Sequence, residues 1–245
     1  MITQHTFFTQ RGPKSFIGVL SILIVGACAP SADDDADQSA VRSALPSIAV
    51  APRATVAAAD STAIIVVGAQ AEAVYDKVRL GDWAAASHAL DSAMAVVRIA
   101  GHASTPGDSL AFDPPIRLLR DRLTARDRSG VLSAANRLTE IAARRSAELS
   151  LSVPIEISLL DFYGREMQIA ADANDIPGSR RVASALRDVW ARVRPQMDRH
   201  DGAEERMAFD VLVVRSNSAT TDIDVASLAQ QILDAVDGIE SLFKT

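Results

Sequence analysis

Residues 182–197 read Val182-Ala183-Ser184-Ala185-Leu186-Arg187-Asp188-Val189-Trp190-Ala191-Arg192-Val193-Arg194-Pro195-Gln196-Met197. Val182, Leu186, Val189, Val193 and Met197 recur at intervals of three and four, with Arg181, Arg187, Arg192 and Arg199 interspersed. That spacing gathers the apolar side chains on one face of an α-helix and leaves the charges to water. Trp83, Ala86, Leu90, Ala93 and Val97 repeat the pattern, as do Val225, Leu228, Ile232, Ala235, Ile239 and Leu242. Asp113-Pro114-Pro115, Val153-Pro154 and Ile176-Pro177-Gly178 open helices, while Gly81-Asp82 and Ser129-Gly130 make short turns. The sequence therefore predicts eight helices, over about 60–80, 82–100, 114–127, 130–149, 154–173, 178–199, 203–215 and 224–243. Phe209–Val214 has the composition of a strand, but no second strand candidate exists to pair with it, so it is read as helical.

The expected fold is all-α, antiparallel hairpins forming one or two four-helix bundles. Leu90, Leu138 and Leu186 lie 48 residues apart, each seven after a residue just past a turn (Trp83, Val131, Ser179). This faint period fits a duplicated four-helix unit split near Ser150–Val153. The alternative is a short α-solenoid. Arg79–Ala86 resembles the turn region of a tetratricopeptide-type repeat, but such repeats recur at about 34 residues and their Pro and Tyr positions are missing here. The Gly164 of Asp161-Phe162-Tyr163-Gly164-Arg165-Glu166 falls in mid-helix, which points to a close helix–helix approach, at the seam between halves.

The amino-terminus is of another kind. Arg11 and Lys14 precede an apolar run, Phe16–Val25, which closes on Gly26 and Ala27. This is the layout of a secretory signal peptide, and the run is shorter than the ~20 residues of a membrane span. Val25-Gly26-Ala27-Cys28 resembles the lipobox of bacterial lipoprotein precursors, and Cys28 is the only cysteine in the chain. The resemblance implies cleavage between Ala27 and Cys28, with a diacylglycerol thioether on Cys28 and acylation of the new terminus. Several acyl chains make attachment stable. It implies anchoring in the cell envelope, at the outer membrane facing the periplasm if the host is Gram-negative, because Ala29 replaces the Asp that would retain the protein at the inner membrane. The expected organisation is then a signal peptide over 1–27, the lipidated cysteine and a linker over 28–59, and helical halves over 60–150 and 151–245. Ser31–Asp37 and the scattered Pro, Ala and Ser that follow lack the apolar surface to offset the entropy of ordering, though Val56–Ala59 can lead into the first helix.

Composition narrows the function. The net charge is −6, and the leader holds two bases and no acid, so the remainder is more acidic still. That argues against nucleic acid as a partner. With Cys28 acylated there is no disulfide, thiol nucleophile or thiolate metal site. At 4% aromatics, stacking surfaces for sugars or bases are poorly supplied.

Gly107-Asp108-Ser109-Leu110 spells the nucleophile motif of the GDSL esterases, but a polar loop precedes it where that family has a strand. His200 follows Asp198 by two residues rather than three, leaving Ser109 without the expected base. His88 and Asp91 share a helix face, as do Glu72 and Asp76, so a facing pair could supply nitrogen and oxygen ligands to a metal. Only one such histidine occurs, and its order is reversed relative to the Glu-x-x-His of bundle metal sites. No metal or other cofactor is therefore expected. Met94, Met167 and Met197 fall at core positions rather than as haem ligands. Between 117 and 145, eight arginines, among them Arg117, Arg120, Arg144 and Arg145, face only Asp121, Asp127 and Glu140. They are candidates for an anionic headgroup, envelope polymer or acidic partner, against the plainer reading of a solvated face. With no catalytic set in view, the expectation is a non-enzymatic binding or scaffolding module with an envelope protein partner; the alternative is a small-ligand or metal-binding bundle.

Overall fold

The computed structural model describes residues 52–103, 112–147, 149 and 153–244. Among these there are eight α-helices and no strand: α1 (Pro52–Arg79), α2 (Trp83–Ala103), α3 (Asp113–Thr124), α4 (Arg128–Ser146), α5 (Ile155–Asp172), α6 (Ile176–Met197), α7 (Ala203–Ser218) and α8 (Asp222–Phe243). They belong to one compact unit, Ala49–Thr245. The lipobox, Cys28 and the Ser109 motif lie outside the described residues.

The helix ends follow from local chemistry, and one turn recurs. Gly81, Arg126 and Asn174 each take a left-handed conformation, with φ of 78°, 52° and 52°. The next residue is Asp in every case, and its amide closes the preceding helix: Asp82 N to Lys77 O at 2.8 Å, Asp127 N to Arg122 O at 3.1 Å, Asp175 N to Ala170 O at 2.8 Å. The same Asp caps the following helix. Its Oδ1 accepts from Ala85 N (3.0 Å), Gly130 N (3.0 Å) or Gly178 N (2.8 Å) respectively. One aspartate thus satisfies a stray carbonyl and a stray amide at once. The α7–α8 connection differs, with Thr221 Oγ1 accepting from Asp224 N at 3.1 Å.

Each half closes on itself. In the first, α1 packs on α2, α2 on α3, α3 on α4 and α4 back on α1; in the second, α5, α6, α7 and α8 make the same ring. A solenoid would lack the closing α1–α4 and α5–α8 pairs, so the architecture is two up-and-down four-helix bundles joined between α4 and α5. Each has its own apolar core. Val74, Leu90, Leu119, Val131 and Leu138 centre the first, and Leu160, Met167, Leu186, Phe209, Ile232 and Ile239 the second. The three leucines of the 48-residue period are all buried.

Two expectations need correction. Residues 52–59 belong to α1 rather than to the linker. Pro52 suits a first helical position, where no amide hydrogen is needed, and Ala54 and Ala57–Ala59 are strong helix formers. Gly164 does mark a close approach, but to α8 within the second bundle: a Cβ there would lie 2.7 Å from Leu233 Cδ2 and 3.3 Å from Ile232 Cγ2. It is not at the seam between halves.

Candidate functional site

The bundles meet across a polar seam. On α5, Asp161, Arg165, Gln168 and Asp172 follow at four, three and four residues; on α1, Glu72, Tyr75, Asp76 and Arg79 have comparable spacing. These two stripes reach toward each other. Tyr75 donates to Gln168 Oε1 at 3.0 Å, and Arg79 pairs with Asp172 at 2.9 Å. Gln168 passes the chain on to Gln230 of α8 at 3.1 Å. From α4, Asn136 donates to the Phe162 carbonyl (3.1 Å) and to Glu166 (2.8 Å). Some apolar contact crosses too: Ala143 of α4 joins the second core, and Ile169 of α5 packs on the first.

Arg165 is the centre of this seam. It is 8% exposed, pairs with Asp161, lies 3.7 Å from Glu72 Oε1, and stands 5.6 Å from the Tyr75 ring centre. Burial opposes its charge, yet Asp161, Glu72 and Asp76 hold the guanidinium firmly protonated, with its pKa above the usual arginine value. Asp237 and Glu240 of α8 add their field at Asp161, so five carboxylates belong to the cluster that one arginine centres.

Burial first, and the excess of negative charge after it, tell on the acids. Loss of hydration among the surrounding helices pushes Glu72 from 4.5 up to about 7, against the pull of Arg165 and with help from Asp161, Glu240 and Asp76. The side chain still keeps 38% of its surface open, so its hydration is reduced rather than abolished. Asp161 is raised by burial, with Asp237 and Glu240 adding to the shift and Arg165 opposing it. Asp76 and Asp237 move the same way, desolvation again leading. Burial raises the Tyr75 phenol as well. A carboxyl that titrates near neutrality can hold or release a proton under physiological conditions. The groups described around this one are Arg165, Asp161, Glu240 and Asp76.

The other candidates fall elsewhere. His88 and Asp91 stand exposed on α2, whereas Glu72 and Asp76 lie on the side of α1 that feels Arg165. Among the described residues no three His, Cys, Asp or Glu side chains converge as a metal would require. The basic candidates are dispersed. Glu140, a buried carboxylate, takes Arg144 at 2.9 Å and Arg137 as well. Arg145 lies 5.3 Å from the Phe112 ring centre, and Arg120 is 3.8 Å from Asp121. Arg117 is exposed on α3. An open depression of about 430 Å³ at the α3–α4 turn includes Arg122, Ser129, Gly130 and Arg137. The place an anion would take there, at the start of α4, is held by the Asp127 carboxylate, bound to Gly130 N, Ser129 and Arg122. Those bonds, the Gly130 amide first, keep Asp127 below the usual carboxylate range. His200 stacks on Phe243 at 4.0 Å. Met167 and Met197 are fully buried and Met94 packs on the first core.

Sequence reasoning weighed Glu72 and Asp76 only as candidate partners of His88 and Asp91 at a metal, expected no metal, and overlooked Arg165. The available signal was the second, polar stripe on α5 running beside the apolar one. No family model matches the chain, and neither a curated protein nor a solved structure matches it.

Proposed function

We propose that the chain is a lipid-anchored protein of the bacterial cell envelope whose helical unit serves as a binding or scaffolding module. The observation that carries this reading is Val25-Gly26-Ala27-Cys28, with the chain's single cysteine at the end of an apolar run flanked by Arg11 and Lys14. The Asp-, Ala- and Ser-rich sequence between Cys28 and the helical unit has a spacer's composition. No described helix is long and apolar enough to cross a membrane, and the lipobox-like cysteine offers lipid as a means of attachment. The scaffolding half of the reading is supported by the perturbed carboxylates, which are committed to Arg165 and to the joint between bundles. Ala29 favours the outer membrane, facing the periplasm, in a Gram-negative host.

Metabolic labelling with palmitate in a bacterial host tests the anchor. Label is expected on the wild-type chain and absent from Cys28→Ser, and intact mass should begin at residue 28 with the lipid added. A free thiol at Cys28, or a retained leader, overturns the proposal.

A further inference from the structure

Most helices here hide one face and wet the other, but α7 is apolar on both. Phe209, Leu212 and Val213 enter the second core. Met207, Val211 and Val214 point away from it and remain 59%, 56% and 71% exposed. These three follow at four and three residues, with exposed Ala208 beside them, so they form one stripe along the outer face. A stripe of this kind is more than scattered surface apolarity: Asp210, the one polar residue between Met207 and Val214, is bound to Trp190 and Arg194 of α6 at its flank.

The charges at its ends say what fits. Glu204 and Glu205 sit in the first turn, Arg215 in the last. None of the three forms an ion pair among the described residues; Arg215 only donates to the neutral Gln231 at 3.1 Å. An anionic lipid surface calls for a net basic rim; here Arg194 and Arg206 are paired with Asp210 and Asp198, and Glu204 and Glu205 offset Arg215. A second α7 running antiparallel meets the pattern instead. Setting Ala208 of one copy opposite Val211 of the other brings Glu204 of each opposite Arg215 of its partner. Antiparallel alignment also sets the unlike ends of the two helix dipoles side by side.

We propose that the outer face of α7 is the contact of a two-fold symmetric homodimer, with Met207, Ala208, Val211 and Val214 at its centre and Glu204–Arg215 pairs at its two ends. One face of a 16-residue helix falls short of the about 800 Å² per partner of a standard interface, so the dimer is weak and concentration-dependent. Attachment to a membrane would raise the local concentration, but the contact itself does not depend on Cys28.

The test is sedimentation of the full chain, in enough detergent to give each molecule its own micelle, from micromolar to near-millimolar concentration. The wild-type mass is expected to climb from one copy toward two. Val211→Asp, at an exposed position, should stay monomeric with an unchanged circular dichroism spectrum. Glu204→Arg and Arg215→Glu should each weaken association by about tenfold through like-charge contact, and the double variant should regain most of it. A chain that stays monomeric throughout overturns the proposal, as does dimerisation indifferent to Val211→Asp or a double variant no better than the singles. If α7 is instead covered by lipid or by an unrelated protein, the charge exchange will not restore self-association, and the proposal falls.

Discussion

Arg165 holds its charge where little water reaches it, and the acids around it hold more negative charge than it can balance. The consequence is a sign that can be worked out. Glu72 binds its proton more tightly in the folded chain, at about 7, than in the unfolded one, at 4.5. Folding therefore takes up a proton between those values, and stability increases as pH falls through about 7 toward 4.5. Asp161, Asp76 and Asp237 are shifted in the same direction. The thermal midpoint should accordingly rise on acidification from about pH 8 to about pH 6. Glu72→Gln should lose the upper part of that rise and be the more stable form above neutrality. A profile parallel to wild type would show that Glu72 is well hydrated after all. At this scale the sequence is least informative: Asp161, Arg165, Gln168 and Asp172 read equally as a solvated stripe, because facing another bundle and facing water require the same residue types.

Single elements were far more legible, since each helix announces itself through neighbours three and four residues away. Pro114, Pro154 and Pro177 stand at helix starts as expected. α7 is a helix despite its strand-like composition, and its two-sided apolarity explains the ambiguity. The turn expected at Ser129-Gly130 lies instead at Ala125–Asp127, and Ser129 and Gly130 belong to the first turn of α4; Arg126 gave no signal because arginine is an uncommon left-handed residue. Gly164 offers the sharpest test here. Gly164→Val should cost about 1–3 kcal/mol in chemical denaturation, because its side chain would meet Leu233 and Ile232 across the α5–α8 contact. Adding Leu233→Ala should recover part of that loss by opening the space. If Gly164→Val is neutral, the two helices are not held as close as described.

At the largest scale the described helical unit is two closed rings with a core apiece, and this was half visible beforehand. Leu90, Leu138 and Leu186 gave the period, and α4 ends at Ser146 before α5 begins at Ile155. What could not be read was how the halves meet, because that depends on pairs such as Tyr75 with Gln168, 93 residues apart. Separate cores have an energetic signature. Leu138→Ala and Leu186→Ala, each at a fully buried site, should each cost about 2–5 kcal/mol. Lying in different clusters, they should sum to within about 0.5 kcal/mol in the double variant. A large departure from additivity would mean that the two cores respond as one. The joint between them has a further meaning for handling stress. Tearing open either ring would bare leucine, isoleucine and phenylalanine, a tacky surface prone to clumping. The boundary between rings is furnished mainly with amides, carboxylates and a guanidinium, which water wets readily. Were that boundary opened, water would meet hydrogen-bonding groups there rather than a greasy face.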